Sequence, residues 1–171
     1  MGMLRVAAVV FLVLATVAVW ANRPPLTVAG TASRVVVDKS ERALWLMDRD
    51  AVLARYPVSL GADGDGGHKQ REGDERTPEG RYALDWRNAE SAYHRSIRVS
   101  YPDDADAARA RIQGDDPGGM IMIHGARNGL GWLGRLHRAL DWTDGCIAVT
   151  NAEMDQIWAA VPDGTPIDIR P

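Results

Sequence analysis

The stretch that decides the fold and the chemistry of this 171-residue chain is Asp141-Trp142-Thr143-Asp144-Gly145-Cys146-Ile147-Ala148-Val149. Cys146 is the only cysteine in the sequence, so it has no partner for a disulfide within the chain. Gly145 allows a tight turn that lifts the sulfur outwards and leaves nearby N–H groups free to face an oxyanion. The residues after Cys146 alternate as in a strand that enters a core. We therefore predict a thiol at a junction between a turn and a strand.

A histidine marks the end of a second predicted strand. The apolar run 120–123 is followed directly by His124 and Gly125, so His124 lies where a buried strand emerges into a loop. If the two strand ends are neighbours in one sheet, the imidazole and the thiol come together. An ordinary thiol is mostly protonated at neutral pH and needs a positioned base to become a nucleophile. The pattern therefore predicts Cys146 as the nucleophile and His124 as its base.

These motifs resemble the L,D-transpeptidase (YkuD-type) catalytic domain, in which an upstream His is followed, after a gap, by Ser or Thr, usually His, and Gly-Cys. Thr143, Gly145 and Cys146 match this pattern, and His124 matches the upstream His. The sequence departs from the pattern at Asp144, where His is commoner, and in a longer gap before Cys146. The stretch 73–82 also looks like the family's Thr-Pro-x-Gly turn before a strand, and the resemblance covers roughly residues 33 to 170.

The resemblance implies a mainly β fold: a mixed β-sheet sandwich with one or two short helices, preceded by an N-terminal apolar helix. It implies an acyltransferase that needs no cofactor and works on peptidoglycan stem peptides as donor and acceptor. The meso-diaminopimelate to D-Ala bond of one stem would be attacked through a thioester, and the side-chain amine of a second stem would accept the acyl group. The residues themselves are equally compatible with hydrolysis, as in an L,D-carboxypeptidase or an amidase, and a non-catalytic wall-binding domain is a third alternative.

Several further residues are predicted to support the site. The oxyanion and supporting positions are Gly145, Thr143, Asp144 and Gly125, and the predicted substrate contacts are His94, Arg95, Lys69 and Trp142. Two interpretations of Asp144 stay open. Its carboxylate would raise the thiol pKa if it faced the sulfur, or it would stabilise the protonated His124.

The hydrophobic pattern predicts the remaining elements. The expected strands are 34–38, 43–47 and 51–60 as an antiparallel meander, then 81–86, one within 91–101, and 166–169 at the end. A short helix is expected within 103–116. Thr150 and Glu153 form a capping box, which predicts a helix that ends before Pro162.

Residues 126–141 are predicted to form a loop with a helical middle. Four leucines at positions 130, 133, 136 and 140 follow spacings of three and four, which favours a stripe that packs over the site. His137 lies in this segment and is the rival candidate for the base. A helical phase would turn it outwards, whereas His124 on a strand end is held more rigidly.

The N-terminal segment predicts export. Arg5 precedes the apolar run Val6–Ala21, which is longer than the usual signal-peptide core of about 7 to 15 residues and shorter than the roughly 20 residues of a spanning helix. We therefore interpret residues 1–22 as a signal peptide or a membrane anchor, 23–32 as a linker and 33–171 as the catalytic domain. Val19-Trp20-Ala21 is an acceptable cleavage site. The expected location is the periplasm or cell envelope, with inner-membrane contact if the segment is retained.

Composition narrows the function classes. The net charge of −3, without a basic stripe, argues against a nucleic-acid partner. Four scattered histidines and one cysteine lack the spacing of a metal site, so no metal is expected. A papain-like protease does not fit, because its Cys precedes its His in the chain. We expect a monomer with one core.

Overall fold

The computed structural model describes residues 2–23, 25, 27–64 and 66–171. In chain order its elements are α1 (Gly2–Ala21), β1 (Arg34–Asp38), β2 (Ala43–Asp48), β3 (Ala51–Pro57), β4 (Gly80–Ser91), β5 (His94–Val99), α2 (Asp104–Gln113), β6 (Met122–His124), a 3₁₀ segment (Gly131–Arg138), β7 (Ile147–Ala148), α3 (Asn151–Ala160) and β8 (Thr165–Arg170).

Within the described residues, the strands form one eight-stranded mixed sheet in the order β3-β2-β1-β8-β4-β5-β6-β7. Strands β1, β2 and β3 form the predicted antiparallel meander, while β8 runs parallel to β1 and β7 runs parallel to β6. Ser59, just after β3 at one end of this order, pairs with Ala148 in β7 at the other end. The sheet is therefore curled so that its two ends meet, and the prediction of a mainly β, mixed-sheet fold is confirmed.

One hydrophobic core fills the curled sheet. Alternate residues of the strands point inwards, as the pleat requires, and Val35, Val37, Ile167 and Ile169 from the parallel pair β1–β8 are all buried. Burial of each such side chain stabilises the fold by about 1.5 to 3 kcal/mol relative to exposure. Helix α3 covers this core from the side of β5 and β6. These contacts hold the strand ends that carry the candidate site.

Helix α3 begins as the sequence predicts. The Thr150 hydroxyl accepts a hydrogen bond from the Glu153 N–H, and the Glu153 carboxylate accepts one from the Thr150 N–H, so both halves of the capping box are formed. The helix follows β7 after only two residues. Its first turn therefore lies close behind the turn that contains Cys146.

The N-terminal apolar run forms α1, and its described side chains are largely exposed. None of the helices in the described part of the chain combines the length and apolar character needed to cross a membrane. Met1 of the predicted signal or anchor, and Pro24 and Leu26 of the predicted linker, lie outside the described residues. The choice between signal and anchor and the domain boundaries stay predictions.

The segment between β6 and β7 differs from its predicted form. Instead of an α-helical middle it contains a 3₁₀ segment that is kinked at Gly134, where φ is 51° and ψ is −124°. The kink at Gly134 interrupts the helical repeat between Leu133 and Leu136, so the predicted leucine stripe loses its single face. Leu133 lines the cavity described below, whereas Leu136 and Leu140 are exposed. The predicted stripe over the site is thus wrong for these last two leucines.

Candidate active site

The register of β6 and β7 places the predicted nucleophile and base on one face of the sheet. Ile123 pairs with Ile147 and His124 with Ala148 in this parallel pair. Both isoleucines are fully buried in the core, so His124 and the residue two before Ala148, which is Cys146, point to the opposite face. Strand spacing and rise put the Cα atoms of His124 and Cys146 about 8 Å apart. Strand β6, which ends at His124, and strand β7, which follows Cys146, are thus neighbours in one sheet.

Both side chains line one cavity of about 600 Å³. Its further lining residues are Ser91, Tyr93, Ser96, Met120, Met122, Ala126, Arg127, Leu130, Leu133, His137, Trp142, Thr143 and Asp144. We call residues 120–125 and 141–148 the catalytic floor, and residues 127–138 the wall.

The His124 side chain is held in a defined orientation. Its Nδ1 lies 2.6 Å from the Gly125 carbonyl oxygen, an acceptor, so Nδ1 carries the proton and Nε2 keeps its lone pair. Burial lowers the His124 pKa to about 4, the hydrogen bond to Gly125 opposes this shift, and the nearby His137 adds to it. His124 is therefore a neutral imidazole at neutral pH, with Nε2 available as a base.

Cys146 is half-buried and lines the cavity, with Sγ 3.7 Å from the Met120 carbonyl oxygen. Burial raises its pKa, and the negative charge of Asp144 raises it further, while a backbone hydrogen bond from Met122 and the charge of Lys69 act in the opposite direction. The resting pair is thus thiol and imidazole, so the proton moves only during the reaction.

Gly145 is required by the shape of the turn before the nucleophile. Its φ of +119° is a conformation that L side chains rarely adopt, and a Cβ there would lie 2.5 Å from the Arg76 carbonyl oxygen. The buried Thr143 fixes the same turn: its hydroxyl donates to the Cys146 carbonyl at 2.7 Å and accepts from the Gly145 N–H at 3.3 Å. The sulfur is therefore presented by a turn that packs against residues of the predicted Thr-Pro-x-Gly motif.

The catalytic floor is hydrogen-bonded to Arg42 and to the residues that follow β3. Asp141 accepts hydrogen bonds from the Leu60 N–H and the Arg42 Nε, each at 2.9 Å. Ser59 and Ala148 exchange two backbone hydrogen bonds, and the Ala62 N–H donates to the Thr143 carbonyl. These contacts were not predicted, because they join residues about 80 or more positions apart in sequence.

Gly125 lies where the chain leaves β6. Its N–H is directed at the carbonyls of Tyr93 and Arg95, and a Cβ at this position would lie 2.7 Å from Asn151 Oδ1. The Asn151 Oδ1 accepts a hydrogen bond from the Ala126 N–H. Gly125 supports the site through its carbonyl, which orients His124, and through the close packing that its missing side chain permits.

Of the four predicted substrate contacts, Trp142 lines the cavity, with its ring 5.8 Å from that of His124. The other three have protein partners elsewhere. Lys69 is buried and bound to Asp74 at 2.8 Å. His94 and Arg95 both pair with Asp155 on α3, at 2.8 and 3.2 Å. The structure does not bring these three side chains to the cavity.

Two further aromatic rings line the cavity, and of these only Tyr93 was not singled out in the sequence. Tyr93 lies in the turn between β4 and β5, and its ring centroid is 4.6 Å from that of His124. His137, predicted to face outwards, instead lines the cavity, with Nδ1 2.5 Å from the Gly134 carbonyl oxygen and burial that lowers its pKa. The kink at Gly134 turns the ring inwards, which an α-helical phase would not do.

The family model for the L,D-transpeptidase catalytic domain (YkuD) matches residues 32–169. The chain belongs to this family. Thr143, Gly145 and Cys146 are the residues through which the sequence resembles the family pattern, and Asp144 stands where that pattern more often has His. No curated protein matches the chain in sequence.

Solved structures share the fold. Pgp2, a helical cell shape determining protein from Campylobacter jejuni, has a TM-score of 0.59 at 22% identity, covering 90% of this chain and 54% of that one. Bd1075 from Bdellovibrio bacteriovorus has a TM-score of 0.56 at 23% identity, covering 85% and 52%. An L,D-transpeptidase from Xylanimonas cellulosilytica has a TM-score of 0.51 at 18% identity, covering 85% and 63%. The chain thus spans about half the length of the first two.

In this L,D-transpeptidase family member, the end of α1 packs against the wall. Asn22 Nδ2 donates to the Trp132 carbonyl at 3.0 Å, and Arg135 donates to the carbonyls of Trp20 and Arg23, both at 3.2 Å. Ala21 is buried, and a Cβ on Gly134 would lie 2.1 Å from its carbonyl oxygen. The far end of the wall is held by an ion pair between Arg138 and Glu153 at 2.7 Å, both nearly buried.

Proposed function

We propose that this L,D-transpeptidase family member transfers an acyl group between peptidoglycan stem peptides through a thioester on Cys146. One observation carries the proposal: His124 and Cys146 share a face and a cavity, and the Gly125 carbonyl occupies Nδ1, leaving Nε2 as the base. A family of wall enzymes and a lone thiol beside a neutral imidazole point to the same chemistry.

In the first half-reaction, His124 Nε2 accepts the thiol proton and the sulfur attacks the carbonyl of the diaminopimelate to D-Ala bond. The tetrahedral oxyanion is stabilised by backbone N–H groups of the Gly145-Cys146 turn. The Gly145 N–H has a long hydrogen bond of 3.3 Å to Thr143, which is readily exchanged for a charged acceptor. Because burial disfavours the charged imidazole, His124 is a strong acid once protonated, and it donates to the departing amine of D-Ala.

In the second half-reaction, the amine of a second stem attacks the thioester, giving a cross-link and restoring the thiol. Tyr93 and Trp142, with ring centroids 6.1 Å apart, give this part of the cavity an apolar lining suited to the backbone and methylene groups of a peptide. If water attacks the thioester in place of an amine, the same residues of the catalytic floor would make the enzyme a carboxypeptidase or an amidase.

The proposed location is supported by the family and by the N-terminal segment. L,D-transpeptidases act on the cell wall, so we place this protein in the cell envelope, on the periplasmic side of the inner membrane. Arg5 before the apolar helix favours an N-terminus on the cytoplasmic side, either as a retained anchor or as a cleaved signal.

The test is to incubate the full chain with isolated stem tetrapeptides and to analyse protein and products by mass spectrometry. We expect an adduct on the peptide that contains Cys146, and cross-linked dimers of stems. Cys146→Ala should give neither. Free tripeptide without dimers would instead identify a hydrolase, and a wild-type protein without an adduct would contradict the acyl-enzyme.

A further inference from the structure

We propose that Asp144 is a specificity residue that binds the ammonium group of the incoming acceptor, so that the acyl-enzyme reacts with a cationic amine in preference to water or a neutral amine. This inference rests on the proposed function, because it concerns the second half-reaction of the same site.

The carboxylate of Asp144 is exposed, lines the cavity and lies two residues before the nucleophile. Within the described part of the chain, no hydrogen bond or ion pair engages its oxygens. The neighbouring carboxylates are in use: Asp141 binds Leu60 and Arg42, and Asp155 binds His94 and Arg95. Asp144 is thus the anion that the cavity offers to a ligand.

The charge of Asp144 has opposite consequences in the two half-reactions. While the sulfur is a thiol that must become an anion, a carboxylate facing it is unfavourable and raises the pKa of Cys146. Once the sulfur is acylated it is neutral, and this cost disappears. The same carboxylate then attracts a cation to the mouth of the cavity. A residue that hinders the first step is therefore useful in the second.

The histidines and the arginine that line the cavity do not offer a negative charge to an ammonium group. His124 and His137 have pKa values lowered by burial and are neutral at neutral pH. Arg127 also lines the cavity, but its positive charge repels an ammonium group. An acceptor that carries an ammonium group therefore finds one complementary charge close to the sulfur.

The proton balance is complete with groups already present. The bound ammonium transfers one proton to the neutral His124 Nε2, and its lone pair then forms the C–N bond to the thioester carbonyl. When the C–S bond breaks, the leaving thiolate takes the proton from His124. The second proton, lost as the nitrogen becomes an amide, passes to water. Because a carboxylate favours the ammonium form, Asp144 should act on binding of the acceptor more than on the turnover of the bound acceptor.

The experiment measures the acyl-enzyme formed from stem tetrapeptide as it partitions between acceptors. One acceptor is a stem with its free side-chain ammonium, and the other is hydroxylamine, which is uncharged at neutral pH. In Asp144→Asn, we expect KM for the stem amine to rise by about fivefold, the effect of losing an exposed ion pair, with kcat little changed. KM for hydroxylamine should not change. Asp144→Glu should retain the preference for the stem amine.

Two controls separate charge at the site from charge in general. Asp48→Asn removes an exposed carboxylate at the end of β2, away from the cavity, and should leave both acceptors unaffected. In Asp144→Asn, iodoacetamide should label Cys146 faster than in wild type at neutral pH, because the thiol pKa falls. Asp144→Asn is therefore expected to make the thiol more reactive in the first half-reaction and to weaken binding of the amine acceptor in the second.

The outcomes distinguish this inference from the proposed function. Equal KM values for the stem amine in wild type and Asp144→Asn, with the acyl-enzyme still formed, would overturn the role of Asp144 and leave the acyl transfer intact. An equal rise for both acceptors would also overturn it, since that would indicate lost packing instead of lost charge. If wild type forms no acyl-enzyme, the proposed function fails and the inference fails with it.

Discussion

The catalytic floor and the wall enclose the same cavity, but they are held in different ways. The floor is a pair of parallel strand ends with backbone hydrogen bonds to the chain after β3. The wall contains a kinked 3₁₀ segment, which contacts the end of α1 through residues 132–135 and is held at Arg138 by an ion pair with Glu153. The residues predicted to carry the chemistry thus lie on the floor, where backbone pairing within the sheet holds them.

The largest expected effect is a contrast between the two histidines of the cavity. His124→Ala should slow the labelling of Cys146 by iodoacetamide about 10²- to 10⁴-fold, because it removes the base that receives the thiol proton. His137→Ala, on the wall, should slow it less than about tenfold, since it alters only the surroundings of the thiol. Similar losses in both variants would mean that the wall takes part in the proton transfer. Labelling rates at neutral pH decide the matter.

The buried ion pair of the wall should have the next largest effect. Arg138→Met leaves the Glu153 carboxylate buried without its cation, which should lower the free energy of unfolding by about 3 to 5 kcal/mol. Thr150→Ala, which removes the cap of the same helix but keeps the ion pair, should cost about 1 kcal/mol. Urea denaturation measures both values, and hydrogen exchange should show faster exchange in residues 131–138 of Arg138→Met. Unchanged exchange there would mean that the wall is held by other contacts.

A pair of glycines tests how tightly the floor is packed. Gly145→Ala adds a Cβ against the Arg76 carbonyl in a strained conformation, and we expect a loss of about 3 kcal/mol in the free energy of unfolding. Gly129→Ala, in the wall, has a positive φ of 85° but open space around it, so only the strain of about 1 kcal/mol is expected. Equal losses in denaturant unfolding would show that the floor turn relaxes as readily as the wall.

The smallest expected effect is a pH dependence of stability that comes from His124. Its folded pKa of about 4 lies below the ordinary value, so the unfolded chain takes up the proton first and stability falls as the pH falls below about 6.5. Between pH 7 and pH 5 this amounts to about 2 kcal/mol. His124→Gln should flatten the curve over this range. A curve of the same slope in the variant would assign the dependence to His137 or to the carboxylates.

The sequence predicted what depends on local pattern. The strand order within the β1–β3 meander, the capping box at Thr150 and the turn at Gly145 are each determined by residues within a few positions of one another. The placement of Cys146 and His124 on neighbouring strands was predictable because each borders an apolar run and the family resemblance links the two.

The misplaced predictions depend on partners that sequence does not reveal. His94 and Arg95 look like substrate contacts until Asp155, some 60 positions later, is seen to bind both of them. Lys69 is neutralised by Asp74 within its own loop, a pairing that a different loop conformation would not make. The outward orientation predicted for His137 was wrong, because a leucine pattern cannot distinguish a straight α-helix from 3₁₀ turns that are broken at Gly134.

The packing of Ala21 under Gly134 bears on when the N-terminal segment can be removed. A processing peptidase needs an extended backbone around the bond that it cuts, but here Ala21 is the last residue of helix α1 and is buried against the wall. If the predicted cleavage after Ala21 takes place, it must therefore precede folding of the polypeptide or wait until the helix end detaches. The relative speed of translocation and folding would then decide which N-terminus the mature enzyme carries.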